Sequence, residues 1–277
     1  MKAGFLTVYR RDMTRFFRFR TQFISSLLQP ILWLAFFGVA MASSFDRLSA
    51  GVTAAGAAQI GYLTFMGAGI IAMTALFTSL YGGFILLFDK NWGLMREVLA
   101  SPMPRRDIII GISLSGMTKS WIQTIVIILF GMLLGVEFFT GQSFLGALVS
   151  VAGILLFTGI FSIGFLCLSA TIALSMASPE GFQGITTLLT MPLFFTSNAL
   201  YPTDALPEIL QDAAIFNPLT HLITGIRYFA IGNDFTAIGI HFSLGPADVL
   251  LSLGALLLFT ALTFTIAWKK VRNAVIT

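Results

Sequence analysis

Six stretches of this 277-residue chain are too long and too apolar to be surface helices of a soluble globule: 23–44, 60–88, 108–139, 144–175, 182–201 and 247–268. A helix crossing the hydrocarbon core of a bilayer needs about 20 mostly apolar residues, and each stretch supplies them. The second, third and fourth exceed that minimum, so tilt or interfacial ends are expected. A transmembrane barrel would need short segments of strict alternation; continuous runs such as Gly153-Ile154-Leu155-Leu156-Phe157 rule that out. The chain is 57% hydrophobic and 10% charged. Soluble domains carry about 25% charged residues, so a soluble enzyme, a disordered chain and a nucleic-acid binder are all excluded. The expected fold is all-α and polytopic. It has six transmembrane helices, an N-terminal interfacial helix (1–21) and a short outer re-entrant helix pair between the fifth and sixth spans. The first apolar run lies behind about twenty Arg- and Phe-rich residues, unlike a cleavable signal, and is read as a retained helix. The lone cysteine, Cys167, excludes an internal disulfide framework.

Orientation follows from where Lys and Arg fall. Thirteen of the sixteen gather on the side of both termini. They are Lys2, Arg10, Arg11, Arg15, Arg18 and Arg20 in the N-terminal tail, Lys90, Arg96, Arg105 and Arg106 after the second span, and Lys269, Lys270 and Arg272 at the C-terminus. Arg47 and Arg227 fall opposite, and Lys119 lies deeper in the third span than a pure span tolerates. Both termini are therefore expected in the cytoplasm, with the chain in the cell (plasma or inner) membrane.

The polar segments have their own signals. In the tail, Leu6, Tyr9, Met13, Phe16 and Phe17 share one helical face and Arg11, Arg15 and Arg18 the other, as suits a helix in the membrane interface. Anionic lipid alone would explain it; a cytoplasmic partner is the sharper reading. Loop 89–107 holds two helical turns (93–100) closed by Ser101-Pro102, with Pro104 barring continuation. Segment 202–248 is apolar yet holds only short helices. Pro207 starts one, and Asn217 caps another that opens with Pro218 and stops at Gly232. Neither is long enough to cross. Within the fifth span Pro192 should kink or break the helix. Thr187, Thr190 and Ser197 either line a transport path or merely satisfy freed carbonyls. Gly131 and Gly135 form a small-xxx-small pair.

Catalytic signatures are missing. No GxxxxGK[ST] precedes any of the five lysines, and there is no HExxH, GxSxG or TVGYG. Nor is there an acidic pair inside the membrane of the kind that holds magnesium pyrophosphate. The chain reads as a passive conduit powered from elsewhere. The alternatives are a membrane-embedded lipid-modifying enzyme and a channel or structural membrane protein.

Three stretches then resemble a known signature: 194–202 (FFTSNALYP) with Leu206-Pro207, 216–221 (FNPLTH), and Gly225-Ile226-Arg227-Tyr228. Together with Met95-Arg96-Glu97, Ser101-Pro102 and Arg105-Arg106 they are similar to the type-2 ABC transporter permeases, in the branch of drug-resistance exporters. The resemblance spans about 21–272 and implies a transmembrane permease subunit for a hydrophobic or amphipathic substrate (drug, lipid or glycolipid). It further implies a second permease chain, expected as a homodimer, and two separately encoded ATPase subunits. The chain itself is then not an enzyme and binds no cofactor or metal; ATP and Mg belong to the partner ATPase. Arg96, Glu97, Ser101, Pro102, Arg105 and Arg106 would couple to that ATPase. Asn217, Pro218 and Arg227 would form the outer gate, Arg227 either pairing with Asp204, Glu208, Asp212, Asp234 or a lipid phosphate, or merely snorkelling to the outer interface.

Overall fold

The computed structural model describes residues 4–49, 58–101 and 103–273. Helix α1 (Gly4–Arg18) precedes a first crossing made of α2 (Arg20–Leu32), a π-helical segment (Trp33–Gly38) and α3 (Val39–Ser49). Then come α4 (Tyr62–Asn91), the short α5 (Leu94–Ala100), α6 (Arg105–Leu133) and α7 (Phe144–Ser175). They are followed by α8 (Pro179–Thr196), α9 (Glu208–Ile215), α10 (Pro218–Ala230) and α11 (Pro246–Asn273).

Among the described residues, five helices are long and apolar enough to cross a membrane: Phe23–Arg47, Tyr62–Asn91, Arg105–Leu133, Phe144–Ser175 and Pro246–Asn273. The fifth expected span, α8, falls outside that set. Its 18 residues rise only about 27 Å, and they include Glu180, Gln183 and four threonines. It still links the two ends of the bundle. Just before it, the carbonyls of Met176 and Ala177 accept from Lys90 and Asn91 at the end of α4. Just after it, Ala199 meets Gly69 near the start of α4. The α1 end also gathers both described chain ends: Gly4 sits against Met103, and Arg105 bonds to the carbonyl of Arg272.

The centre of the bundle is α4 against α7. Lipid tails are as apolar as Leu, so close packing rather than water exclusion holds such helices together. Small residues make the approach possible. A Cβ on Gly83 would sit 2.6 Å from the Ser169 backbone, and the Ser169 hydroxyl donates to the Leu80 carbonyl at 2.6 Å. Phe157, Phe161 and Phe165 of α7 are buried in the same core, with Gly225 of α10 receiving the Phe157 ring.

Several boundaries differ from the sequence expectation. The third span ends at Leu133, not 139, because Gly135 (φ 93°), Phe139 (φ 62°) and Gly141 (φ 75°) turn the chain. Gly131 and Gly135 therefore do not share a helix face, and Gly131 instead packs on Val136. Helix α8 starts at Pro179 and continues through Pro192 to Thr196, so that proline does not end it. The sheet end carries strands that periodicity did not reveal: β1 (Ala58–Gln59), β2 (Asp234–Ala237) and β3 (Ile240–Ser243). β1 pairs parallel with β2, and β2 antiparallel with β3. The turn uses Ile238 and Gly239, both at positive φ (54° and 73°), as a two-residue hairpin matched to strand twist requires.

Candidate functional site

A cavity of about 780 Å³ opens between α2, α4, α6 and α8 and reaches α1. Its first wall is the polar side of α2. Thr21, Ser25 and Gln29 recur every fourth residue and all face it. Pro30, which has no N–H to donate, follows within α2, and the helix takes the π form from Trp33. That places the Trp33 indole at the cavity with its ring 6.5 Å from Phe194 of α8. The second wall is α8, where Gln183, Thr186, Thr187 and Thr190 face inward.

Of the three residues named as path-lining, Thr187 and Thr190 reach the cavity. Ser197 does not; it is buried at the end of α8 and donates to the Phe194 carbonyl at 2.7 Å. Thr190 also returns its hydroxyl to the Thr186 carbonyl at 2.6 Å, the bond such residues make to their own helix.

The floor is charged but closed. On α6, Lys119 and Gln123 lie one turn apart on the same side. Gln123 Nε2 donates to Ser26 Oγ of α2 at 2.7 Å, and its Oε1 accepts from Thr78 of α4. Lys119 Nζ stands 2.6 Å from Asp12 Oδ2 of α1, with the two side chains 8% and 10% exposed. Ser115 donates to the same carboxylate oxygen, and the Phe16 ring lies 5.5 Å from Nζ. A second clamp holds α1 to α4: Arg11 and Arg15 each reach Asp89 at 2.8 Å. Sequence reasoning flagged Lys119 as too deep but found no partner for it. The signal was available, since a buried ammonium requires a carboxylate and Asp12 is the only one in the N-terminal tail.

These contacts reshape α1. Its buried residues are Val8, Asp12, Met13 and Phe16, turned towards α6, where Gly111 lets Val8 and the Phe5 carbonyl approach. Leu6 and Phe17, expected on the same apolar face as Phe16, are exposed.

The loop after α4 turns at Gly93 (φ 81°) and forms α5. Met95 anchors α5 by packing on Leu86 and Ala170, while Glu97 is exposed. Ser101 closes the helix with its hydroxyl on the Val98 carbonyl at 2.7 Å. The Arg96 side chain and Pro102 lie outside the described residues. Arg105 is engaged within the chain, donating to the Arg272 carbonyl at 2.6 Å. Arg106 points outward, 3.8 Å from its neighbour Asp107.

At the opposite end, Asn217 does more than cap α10. Its Oδ1 accepts from the Leu219 N–H at 2.9 Å, and its Nδ2 donates to the Leu193 carbonyl and Thr196 Oγ1 of α8 at 2.7 and 3.0 Å. Pro218 occupies the first helical position. His221 bridges the Ile215 carbonyl and Ser252 Oγ at 2.9 and 3.3 Å, and burial pushes its pKa down.

Arg227 departs from expectation. It is 1% exposed, and among the described residues it pairs with no carboxylate. Its Nη2 donates to the Asn198 carbonyl at 2.5 Å, and its guanidinium carbon lies 3.6 Å from the centre of the Phe65 ring. Asp234, one of the proposed partners, pairs instead with His241 at 2.6 Å. A planar, weakly hydrated guanidinium can rest on an aromatic face where an ammonium would keep its water.

Residues 3–230 match the model of the family described as ABC-2 type transporter. A protein of Cyanophora paradoxa named as a transport permease, ycf38, is 31% identical over 229 residues, 82% of this chain and 71% of its own. The Nodulation protein J of Rhizobium leguminosarum bv. viciae is 24% identical over 276 residues, covering 98% of this chain and 94% of the relative. The daunorubicin resistance ABC transporter permease protein DrrB1 of Streptomyces coeruleorubidus is 25% identical over 226 residues, 80% and 73% of the two chains.

Proposed function

The chain belongs to the ABC-2 type transporter family, and from that premise we propose that it is the permease subunit of an ATP-driven exporter of hydrophobic or amphipathic molecules. One observation carries the reading: the cavity walled by α2 and α8. Next to its polar walls both helices expose large apolar side chains, Ile24 and Leu28 on α2 and Leu188 and Met191 on α8. A second copy of the chain laid on these faces would bury them and complete a pathway between the two protomers. Relatives named as drug-resistance permeases support the direction of transport.

The energy comes from two ATPase subunits, since the sequence holds no phosphate-binding loop of its own. They would dock at the α1 end, where α1, the exposed Glu97 of α5 and Arg106 are presented together. That end is the cytoplasmic one by its excess of Lys and Arg. The opposite end, closed by α9, α10 and the hairpin, faces outside; α10, at 13 residues, rises about 20 Å and returns without crossing.

The test is co-purification with the ATPase and reconstitution in liposomes. Charge reversal of Glu97 to Lys should abolish substrate-stimulated ATP hydrolysis while expression and insertion stay at wild-type levels, because truncating a buried interfacial charge costs about 2–5 kcal/mol. Unchanged stimulation in that variant would move the coupling contact away from α5.

A further inference from the structure

We infer that the cavity selects an amphipath with an uncharged headgroup, and that Asp12, acting through Lys119, sets this selectivity. The inference deepens the export reading and rests on it.

Lys119 is the only charged side chain among the described residues that line the cavity. Its ammonium is already taken. Asp12 Oδ2 lies 2.6 Å away, and the pair is withdrawn from water beside the Phe16 ring. An anionic headgroup would have to displace Asp12 or enter a low-dielectric space without a partner, which is unfavourable. A cationic headgroup would meet an ammonium and find the one nearby carboxylate occupied by both Lys119 and Ser115.

What remains free in the walls is neutral. Ser25 and Gln29 of α2 are exposed and line the cavity, and their side chains make no hydrogen bond among the described residues. A hydroxyl and an amide offer both donors and acceptors, which suits a polar headgroup without charge. Trp33, Phe77 and Phe194 then receive the apolar part of the molecule. Asp12 itself does not line the cavity, so it is a positioning residue that fixes the charge of a site it does not touch.

The test is equilibrium binding to the full-length chain in phosphatidylcholine nanodiscs without ATPase. Two fluorescent probes of one chain length are used, an alkyl glycerol and an alkyl phosphate. The wild type should prefer the alkyl glycerol. Asp12→Asn leaves the ammonium without its counter-charge and should shift the ratio towards the alkyl phosphate by about tenfold or more. Gln29→Lys adds an ammonium on an exposed wall without touching the buried pair, and should shift the ratio the same way even if Asp12→Asn does not fold. In the double variant Asp12→Asn, Lys119→Gln the cavity is neutral again, and the wild-type preference should return. The inference is overturned if the wild type binds neither probe or prefers the phosphate, or if a folded variant with an added or freed ammonium keeps the wild-type ratio. Export is measured separately with the ATPase. Ordered binding without export would remove the transport reading and leave the selectivity standing, whereas export with the reversed preference would do the opposite.

Discussion

Arg227 shows how far one side chain's surroundings decide its role. A snorkelling arginine at an interface would be replaced by Lys without loss, but this one is buried, stacked on Phe65 and bonded to the Asn198 carbonyl. Lys offers no planar fork for that geometry. Arg227→Lys and Phe65→Leu should each lower the unfolding free energy by about 1–2 kcal/mol. The double variant should lose less than the sum of the singles, the mark of a direct interaction. Additive losses in detergent unfolding would show that the two residues act independently. Asn217 makes a comparable case. Its capping bond alone is worth about 1 kcal/mol, and its amide also satisfies the Leu193 carbonyl. Asn217→Ala should therefore cost more than a cap alone, about 2 kcal/mol or more in detergent unfolding, and a loss of about 1 kcal/mol would mean that the amide contact to α8 contributes nothing.

Among elements, α1 is docked rather than merely laid on a surface. Two ion-pair sites fasten it, Asp12–Lys119 on α6 and Arg11/Arg15–Asp89 on α4. Asp89→Asn removes the charge that both arginines share, while the Asp12 contact persists. Amide exchange in 4–18 should accelerate, and exchange in α4 and α6 should stay near wild type; equal exchange throughout would mean that packing alone holds α1. Helix α4 also makes a contact of the opposite kind, backbone against backbone at Gly69. A Cβ on Gly69 would fall 2.2 Å from the Ala199 carbonyl oxygen, and backbone cannot yield as a side-chain tip does. Gly69→Ala should destabilise the sheet end by about 1–3 kcal/mol, read as easier proteolysis of the 197–217 connection. Resistance equal to wild type would mean that the connection shifts freely.

Across the whole molecule, cysteine accessibility tests the arrangement of the crossings. In a Cys167→Ser background an impermeant thiol reagent added to intact cells should modify cysteines placed at Glu137 or Asp212 and spare those at Glu97 and Glu180. External labelling at Glu180 would show that α8 does not carry the chain across. The sequence by itself determined the membrane-spanning class, the long helices and the two short helices near 208–230. Each depends on a run length, a proline or a cap, and these are properties of neighbours along the chain. The resemblance at 194–228 likewise led to the family. Only the tertiary structure decided which polar groups meet. Asp12 finds Lys119 across 107 positions, and Arg11 finds Asp89 across 78. The strand at 58–59 pairs with 235–236, and the polar walls of α2 and α8 face one cavity. Such pairings depend on where helices cross, and crossings are set by close packing at glycines such as Gly83 and Gly111. No local pattern encodes them: a buried charge announces that it needs a partner, while the packing of the whole bundle chooses which.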